Sequence, residues 1–345
     1  MTYARDLALE LQRQGHAAAV FSSTKGRVPD ELRAAGVAVS DRLSRLEAPD
    51  IIHGHHNAPT VVAMSHWRTV PAIQVCHDHL SPHDRSLLDG RVRRYFGVSR
   101  LCVQRVVDEG VAADRVTLLP NFVDTARFRP RPPLPERPRR GLVFSNYANA
   151  RTQLPAIREA CREAGIELDV AGIGVDSILA EPERTLGRYD IVFAKGKAAI
   201  EAMAVGSAVV LCDYAGVGPM VTAAEFDWLR VRNFGFETLR EPLGKAPILR
   251  EIGRYDPDEA ARVRDLIRER ASLPAAVATL VGVYREVLAE DRPEVATPAV
   301  TGWARREEVV LRLYWASTSI PRRHRERIKG LPGLRRLVAR LRGLM

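Results

Sequence analysis

At 345 residues the chain is longer than one compact core usually organises, so two domains of ordinary size are expected. Apolar content of 46% beside charged content of 27% excludes a mostly disordered or fibrous chain. The net charge of +10 sits largely in residues 301–345, where 12 Arg/Lys face three Glu, so the body is near neutral and a nucleic-acid-binding body is excluded.

The most apolar run, AAIEAMAVGSAVVLC, is interrupted by Glu201 and falls short of the roughly 18 residues a spanning helix needs. The start, MTYARDLALELQRQGH, is charged throughout and lacks an apolar signal core, which predicts a cytoplasmic location. Cys76, Cys102, Cys161 and Cys212 are widely spaced with no C-x-x-C pair, so they are expected as reduced packing residues.

In chain order, Ala4, Leu7, Ala8 and Leu11 share a helix face, and HAAAVFSS follows as a short strand. PDIIHGHH and VPAIQVCHDH then read as strands with histidines at their carboxyl ends; seven of the nine histidines lie between His53 and His83. In open parallel sheets those ends line the ligand crevice. YFGVSRLCVQRVVDEG predicts a strand and a helix closed by Gly110, and RVTLLPN a further strand. PRPPLPERPRR breaks the pattern, because dense proline blocks helix and ladder alike. The expected organisation is an N-terminal domain over 1–130, a linker over 131–140, a second α/β domain over 141–290, and a linker and tail over 291–345. GLVFSNY, IELDVAGIG, YDIVFAKG and SAVVLCD supply the second domain's strands, with QLPAIREACREAG and AAIEAMAVG among its helices.

The turn after YDIVFA carries Lys195, Gly196 and Lys197 and leads into a helix, a combination whose free N–H groups and dipole suit an anion such as a diphosphate. A second turn, Gly216 to Gly218 before Pro219, is expected to close on the same ligand. The plain alternative is an ordinary strand-turn-helix with surface lysines.

Three segments together carry a resemblance: the two that follow and, more weakly, the pair of histidine-ended strands PDIIHGHH and VPAIQVCHDH. RVTLLPNFVDTARFRP, with Pro120, Asn121, Val123, Asp124 and Phe128, and YDIVFAKGKAAIEAMAVGSAVVLCDYAGVGPMV resemble the GT-B glycosyltransferases, most closely family 4. The resemblance implies an α/β fold of two Rossmann-like domains facing across a cleft, the second binding a nucleotide-sugar donor. It implies that Glu201 grips the ribose, with Lys195, Gly196, Lys197, Arg151 and Gly218 around the donor. It also implies that His77 is the catalytic residue beside the reacting sugar. His55, His56 and Asn57 are then placed to contact the acceptor, and Asp78 to orient an imidazole. No cofactor and no metal are required. Zinc remains open for the histidines, as does a plain structural role, but HGHH and CHDH match no recurrent zinc spacing.

The chain also departs from that pattern. Phe193 stands eight positions before Glu201, where a sugar-contacting Glu is usual, and the basic pair after the second domain's first strand is reduced to Arg151 in NYANAR. The sequence opens inside the first helix, which predicts a first domain lacking its first strand.

From Leu331, the residues Leu334, Leu337, Val338, Leu341 and Leu344 share one helix face that Arg335, Arg336, Arg340 and Arg342 largely avoid. Such a basic amphipathic helix suits an anionic membrane surface, with docking on the protein's own first domain and nucleic acid as alternatives. The function expected is transfer of a sugar to a lipid-linked or polysaccharide acceptor at the inner membrane face. The alternatives are a degenerate homologue that binds without turnover, and a sugar-nucleotide epimerase on the same fold.

Overall fold

The computed structural model describes residues 2–22 and 27–290; the linker from 291 and the expected tail helix lie outside the described residues. The chain divides into two compact units. Of the described residues, one unit comprises those up to Gly97, Cys102–Thr117 and those from Thr279 to 290; the other comprises Val98–Leu101 and Leu118–Ala278.

In the first unit, α1 (Thr2–Arg13), β1 (Ala19–Phe21), α2 (Arg27–Ala34) and β2 (Ala38–Ser40) precede β3 (Ile52–Gly54), α3 (Asn57–His66) and β4 (Ala72–Cys76). β5 (Val92–Gly97), α4 (Arg100–Asp108) and β6 (Val116–Leu118) complete its sheet. The strands form two hydrogen-bonded sets, the parallel pair β1–β2 and the order β3-β4-β5-β6, and among the described residues no strand joins them. β4 is buried at every position, as suits a strand covered on both faces, and its one polar residue, Gln74, donates to Arg85 O and accepts from Leu87 N, both at 2.9 Å. Gly54 and Gly97 end β3 and β5 against a following helix. A Cβ at Gly54 would lie 2.3 Å from Thr60 Oγ1, and one at Gly97 would lie 2.5 Å from Val103 N.

The second unit holds β7 (Arg140–Phe144), α5 (Leu154–Glu163), β8 (Glu167–Ala171), α6 (Pro182–Thr185), β9 (Ile191–Ala194), α7 (Gly196–Val205), β10 (Ala208–Asp213) and β11 (Gly216–Met220). Helices α8 (Phe226–Arg230), α9 (Lys245–Ile252), α10 (Pro257–Arg270) and α11 (Leu273–Ala289) follow. The strand order is β11-β10-β9-β7-β8, parallel except for β11. The chain leaves β7 toward β8 and returns on its other side at β9, so a crevice opens outside the carboxyl ends of β7 and β9. Alternate residues of each strand serve two cores: Leu142, Val192 and Val209 pack with Met203 and Val263, while Val143, Phe193 and Val210 pack with Ile157 and Ile248.

Two boundaries depart from the sequence-based expectation. The proline-rich stretch 131–140 belongs to the second unit, where Arg131 N donates to Val205 O at 2.8 Å and Tyr255 Oη donates to Pro135 O at 3.0 Å. Proline forbids a ladder, yet the carbonyls still accept, so the run is clasped along the unit rather than left as a free linker. The chain also returns to the first unit within α11, at Thr279.

Candidate functional site

The donor-site segment lies where the topology puts a ligand crevice. β9 ends at Ala194 and α7 begins at Gly196, leaving Lys195 alone in the turn. Gly196 has φ +57, and a Cβ built on it would meet nothing within 4 Å, so the turn opens onto free space. Its N–H, however, donates to Phe234 O at 2.8 Å. The anion-facing groups at the helix start are therefore those of the following residues, and no side chain caps them.

The two lysines are engaged within the unit. Lys195 Nζ lies 3.2 Å from Asp213 Oδ2 and 4.0 Å from the centroid of the Phe236 ring, with Tyr147 at 5.4 Å. Asp213 is wholly shut off from solvent, and its Oδ1 accepts from Tyr214 N at 2.8 Å and Gln153 Nε2 at 3.2 Å. Lys197 Nζ donates to Phe122 O at 3.2 Å and lies 3.7 Å from Glu201 Oε1. Glu201 sits in the second turn of α7, only 7% exposed, with its carboxylate turned back toward the helix start. The Pro120–Asp124 signature braces this corner: Asn121 N donates to Asn233 Oδ1, and Val123 N to Ala271 O.

Gly218 does not form a ligand-facing turn. Gly216–Met220 is an edge strand antiparallel to β10, and a Cβ at Gly218 would lie 2.7 Å from Thr238 O. It is glycine because another backbone passes too close for any side chain. Arg151 follows β7 in an exposed turn where its N–H donates to Asn149 Oδ1, leaving the guanidinium at the surface. Phe193 is a core residue with no exposure. Counting eight positions back from Glu201 lands inside β9, because a one-residue turn has no room for the sugar-contacting position. Asp213, Tyr147, Tyr214 and Phe236 were not anticipated. Their signal is spread over three separate stretches of chain, and the Tyr214 ring lies 5.4 Å from Tyr147 and 5.6 Å from Phe236.

In the first unit the histidines do converge. The carboxyl ends of β3 and β4 bring His55 Nδ1 within 3.1 Å of His77 Nε2, and the Tyr3 ring meets both edge-on at 5.2 and 4.8 Å. His53 Nδ1 lies 2.5 Å from Tyr284 Oη, while its Nε2 is buried without a hydrogen-bond partner. Burial, then repulsion from neighbouring imidazoles, drives His55 and His77 well below the usual histidine range and His53 down to about 3. These rings are neutral at physiological pH, so His77 can donate or accept a hydrogen bond but is a poor general base. His56 is lowered too, chiefly by burial, and is half exposed with Nδ1 3.8 Å from Asp84 Oδ1.

Two expected residues serve structure instead. Asn57 is buried, donating from Nδ2 to Pro82 O and accepting from Ala58 N at Oδ1, so its amide is spent at the start of α3. Asp78 Oδ1 accepts from Leu80 N at 2.7 Å and Ser81 N at 3.3 Å, closing a turn rather than orienting a catalytic imidazole. The carboxylate that touches the cluster is Asp84, which accepts from His77 N at 2.9 Å; burial raises its pKa to about 6. Among the described residues, no group of three or more His, Cys, Asp or Glu side chains is arranged to hold a metal ion.

The model of Glycosyltransferase Family 4 matches residues 2–127. No curated protein matches the sequence. Solved structures similar to the chain include a glycosyltransferase from Rickettsia africae, at 14% identity and a TM-score of 0.59, covering 84% of this chain and 95% of that one. Anabaena Alr3699/HepE in complex with UDP and glucose is similar at 13% identity and a TM-score of 0.58, covering 82% and 95%. UDP-GlcNAc 2-epimerase from Neisseria meningitidis, bound to UDP-GlcNAc, is similar at 12% identity and a TM-score of 0.52, covering 82% and 96%. At these identities the structures establish the fold alone. The chain has the GT-B fold, and its residues 2–127 are similar to Glycosyltransferase Family 4.

Proposed function

We propose that the protein is a hexosyltransferase, moving a sugar from a nucleotide-sugar donor to a lipid-linked or polysaccharide acceptor at the inner face of the membrane. The observation that carries the donor half is the open Gly196 turn at the sheet's switch point, with Glu201 one turn behind it. A diphosphate fits over the start of α7, and the Glu201 carboxylate accepts from ribose hydroxyls once Lys197 yields it. UDP in the Anabaena protein and UDP-GlcNAc in the Neisseria protein support a nucleotide-sugar as the ligand class.

On the acceptor side the reading rests on His55, His56 and His77. Neutral imidazoles at strand ends align a hydroxyl by hydrogen bonds, and positioning is worth much of a glycosyl-transfer barrier. The inner-membrane location rests on the basic residues beyond 300, together with the absence, among the described residues, of a helix long and apolar enough to cross a membrane.

Calorimetry with a panel of nucleotide-sugars, paired with a product assay, tests the reading. Wild-type protein is expected to bind at least one donor and Glu201→Ala to lose that binding; normal binding by the variant overturns the site. The fold likeness to an epimerase favours a second reading, and donor consumption that needs no acceptor would select it.

A further inference from the structure

α8 ends at Arg230, and the chain then doubles back through Asn233 and Phe234, both left-handed, with φ +56 and +49. This return places Phe234 O on Gly196 N, so the end of α8 lies beside the start of α7. The Arg230 guanidinium reaches Pro120 O through Nη2 at 3.4 Å, two residues from the carbonyl that Lys197 meets. Its Nη1 is sealed from solvent and has no hydrogen-bond partner, and among the described residues no carboxylate lies within ion-pair distance of it.

Four other arginines of the unit are answered by carboxylates. Arg131 has Asp190 at 2.9 Å, Arg127 has Glu183 at 2.8 Å, Arg232 has Glu237 at 2.9 Å, and Arg270 has Asp227 at 2.6 Å. Arg268 lacks a carboxylate but spends its guanidinium on the carbonyls of Phe128, Ala204 and Thr125, whereas Arg230 has one long carbonyl contact and an idle, buried Nη1. Burial and then repulsion from Arg270 bring its pKa down to about 10, so it remains a cation. A shielded guanidinium with an idle donor is costly unless an anion satisfies it, and a 3.4 Å bond to one carbonyl is too long to hold the fork. Lys195 and Lys197, the expected diphosphate cations, already have partners.

We infer that Arg230 is a phosphate-binding residue, supplying the guanidinium that meets the diphosphate of the donor at the start of α7. The inference rests on the donor reading above. The planar fork suits two phosphate oxygens, and it approaches from α8, an element the sequence pattern did not connect with the turn.

The test uses the full chain and calorimetry with three probes: UDP, uridine and inorganic pyrophosphate. Arg230→Met is expected to weaken UDP and pyrophosphate about tenfold or more while leaving uridine unchanged. Arg230→Lys should restore part of the loss. Because the variant removes an unanswered charge, its ligand-free melting temperature should equal or exceed that of wild type. A melting temperature several degrees lower, with UDP affinity intact, would make Arg230 a structural prop and sink the inference. Should Arg230→Met fail to fold, Arg230→Lys serves in its place, and UDP binding as tight as that of wild type would overturn the inference. Glu201→Ala separates the two readings. If it leaves UDP and uridine untouched while pyrophosphate still depends on Arg230, the donor site is misplaced and Arg230 serves a free anion. If UDP binding depends on Glu201 but not on Arg230, the donor reading stands and this one falls.

Discussion

Lys195 places its ammonium 3.2 Å from Oδ2 of Asp213, a carboxylate with no solvent exposure, and so spends on the protein a charge that the sequence pattern offers to a ligand. Removing one member of such a pair leaves the other unanswered, and the deeper member is the more costly to strand. Lys195→Met is therefore expected to destabilise the protein by about 3 kcal/mol, and Asp213→Asn by less, because Lys195 is partly exposed and can turn to water. Urea unfolding of both variants checks the order; a milder effect for Lys195→Met would contradict it.

Two glycines of the donor segment should separate cleanly. Gly196 is left-handed over open space, so Gly196→Ala costs about 1 kcal/mol of backbone strain but puts a methyl where the diphosphate is proposed to rest. Nucleotide affinity should fall at least tenfold. Gly218→Ala drives a Cβ toward Thr238 O at 2.7 Å, costing about 2–3 kcal/mol as overpacking, with affinity unchanged in the protein that folds. Thermal melts alongside calorimetry give both readouts, and the reverse pattern would remove Gly196 from the site.

The histidine cluster predicts acid sensitivity. His53, His55 and His77 have folded pKa values below their unfolded ones, so the unfolded chain binds more protons below about pH 6.5 and stability falls as pH drops through that range. Asp84 works the other way. Its pKa is raised to about 6, so between roughly pH 4 and 6 the folded state binds the extra proton and stability falls as pH rises. Three lowered imidazoles outweigh one raised carboxyl, and the net expectation is a loss of a few kcal/mol between pH 7 and pH 5. Denaturation midpoints across that range should show it, with a steeper slope for Asp84→Asn and a shallower one for His53→Phe.

Tyr284 tests whether α11 is fastened to the first unit. Its hydroxyl meets His53 Nδ1, and Tyr284→Phe would leave both nitrogens of a buried imidazole without partners. A loss of about 1–2 kcal/mol is expected, with nucleotide affinity unaffected because the proposed donor site lies wholly in the other unit. A change in affinity at constant stability would argue for a direct ligand role.

Much of this was legible from local pattern. β4, β7, β9 and β10 are short, largely apolar runs, and α7 follows a glycine turn, so their existence and order came from local pattern. Elements without such a pattern were missed: β2 is three residues long, α3 begins among histidines, and Gly216–Met220 reads as a turn because glycine and proline dominate it. It is a strand because it pairs antiparallel with β10, Met220 opposite Val210 and Val217 opposite Cys212, and Val217 also exchanges hydrogen bonds with Glu241, a partner remote in sequence.

Sequence by itself determined the two α/β series, the convergence of histidines at strand ends and the turn that opens α7, since each depends on residues within one or two turns of chain. Which charges remain available was decided only by tertiary structure. Whether Lys195 faces Asp213, whether Asn57 is spent on Pro82, and whether Arg230 lacks an anion depend on groups brought together from distant positions. An ion pair or hydrogen bond forms over about 3 Å of space whatever the separation along the chain.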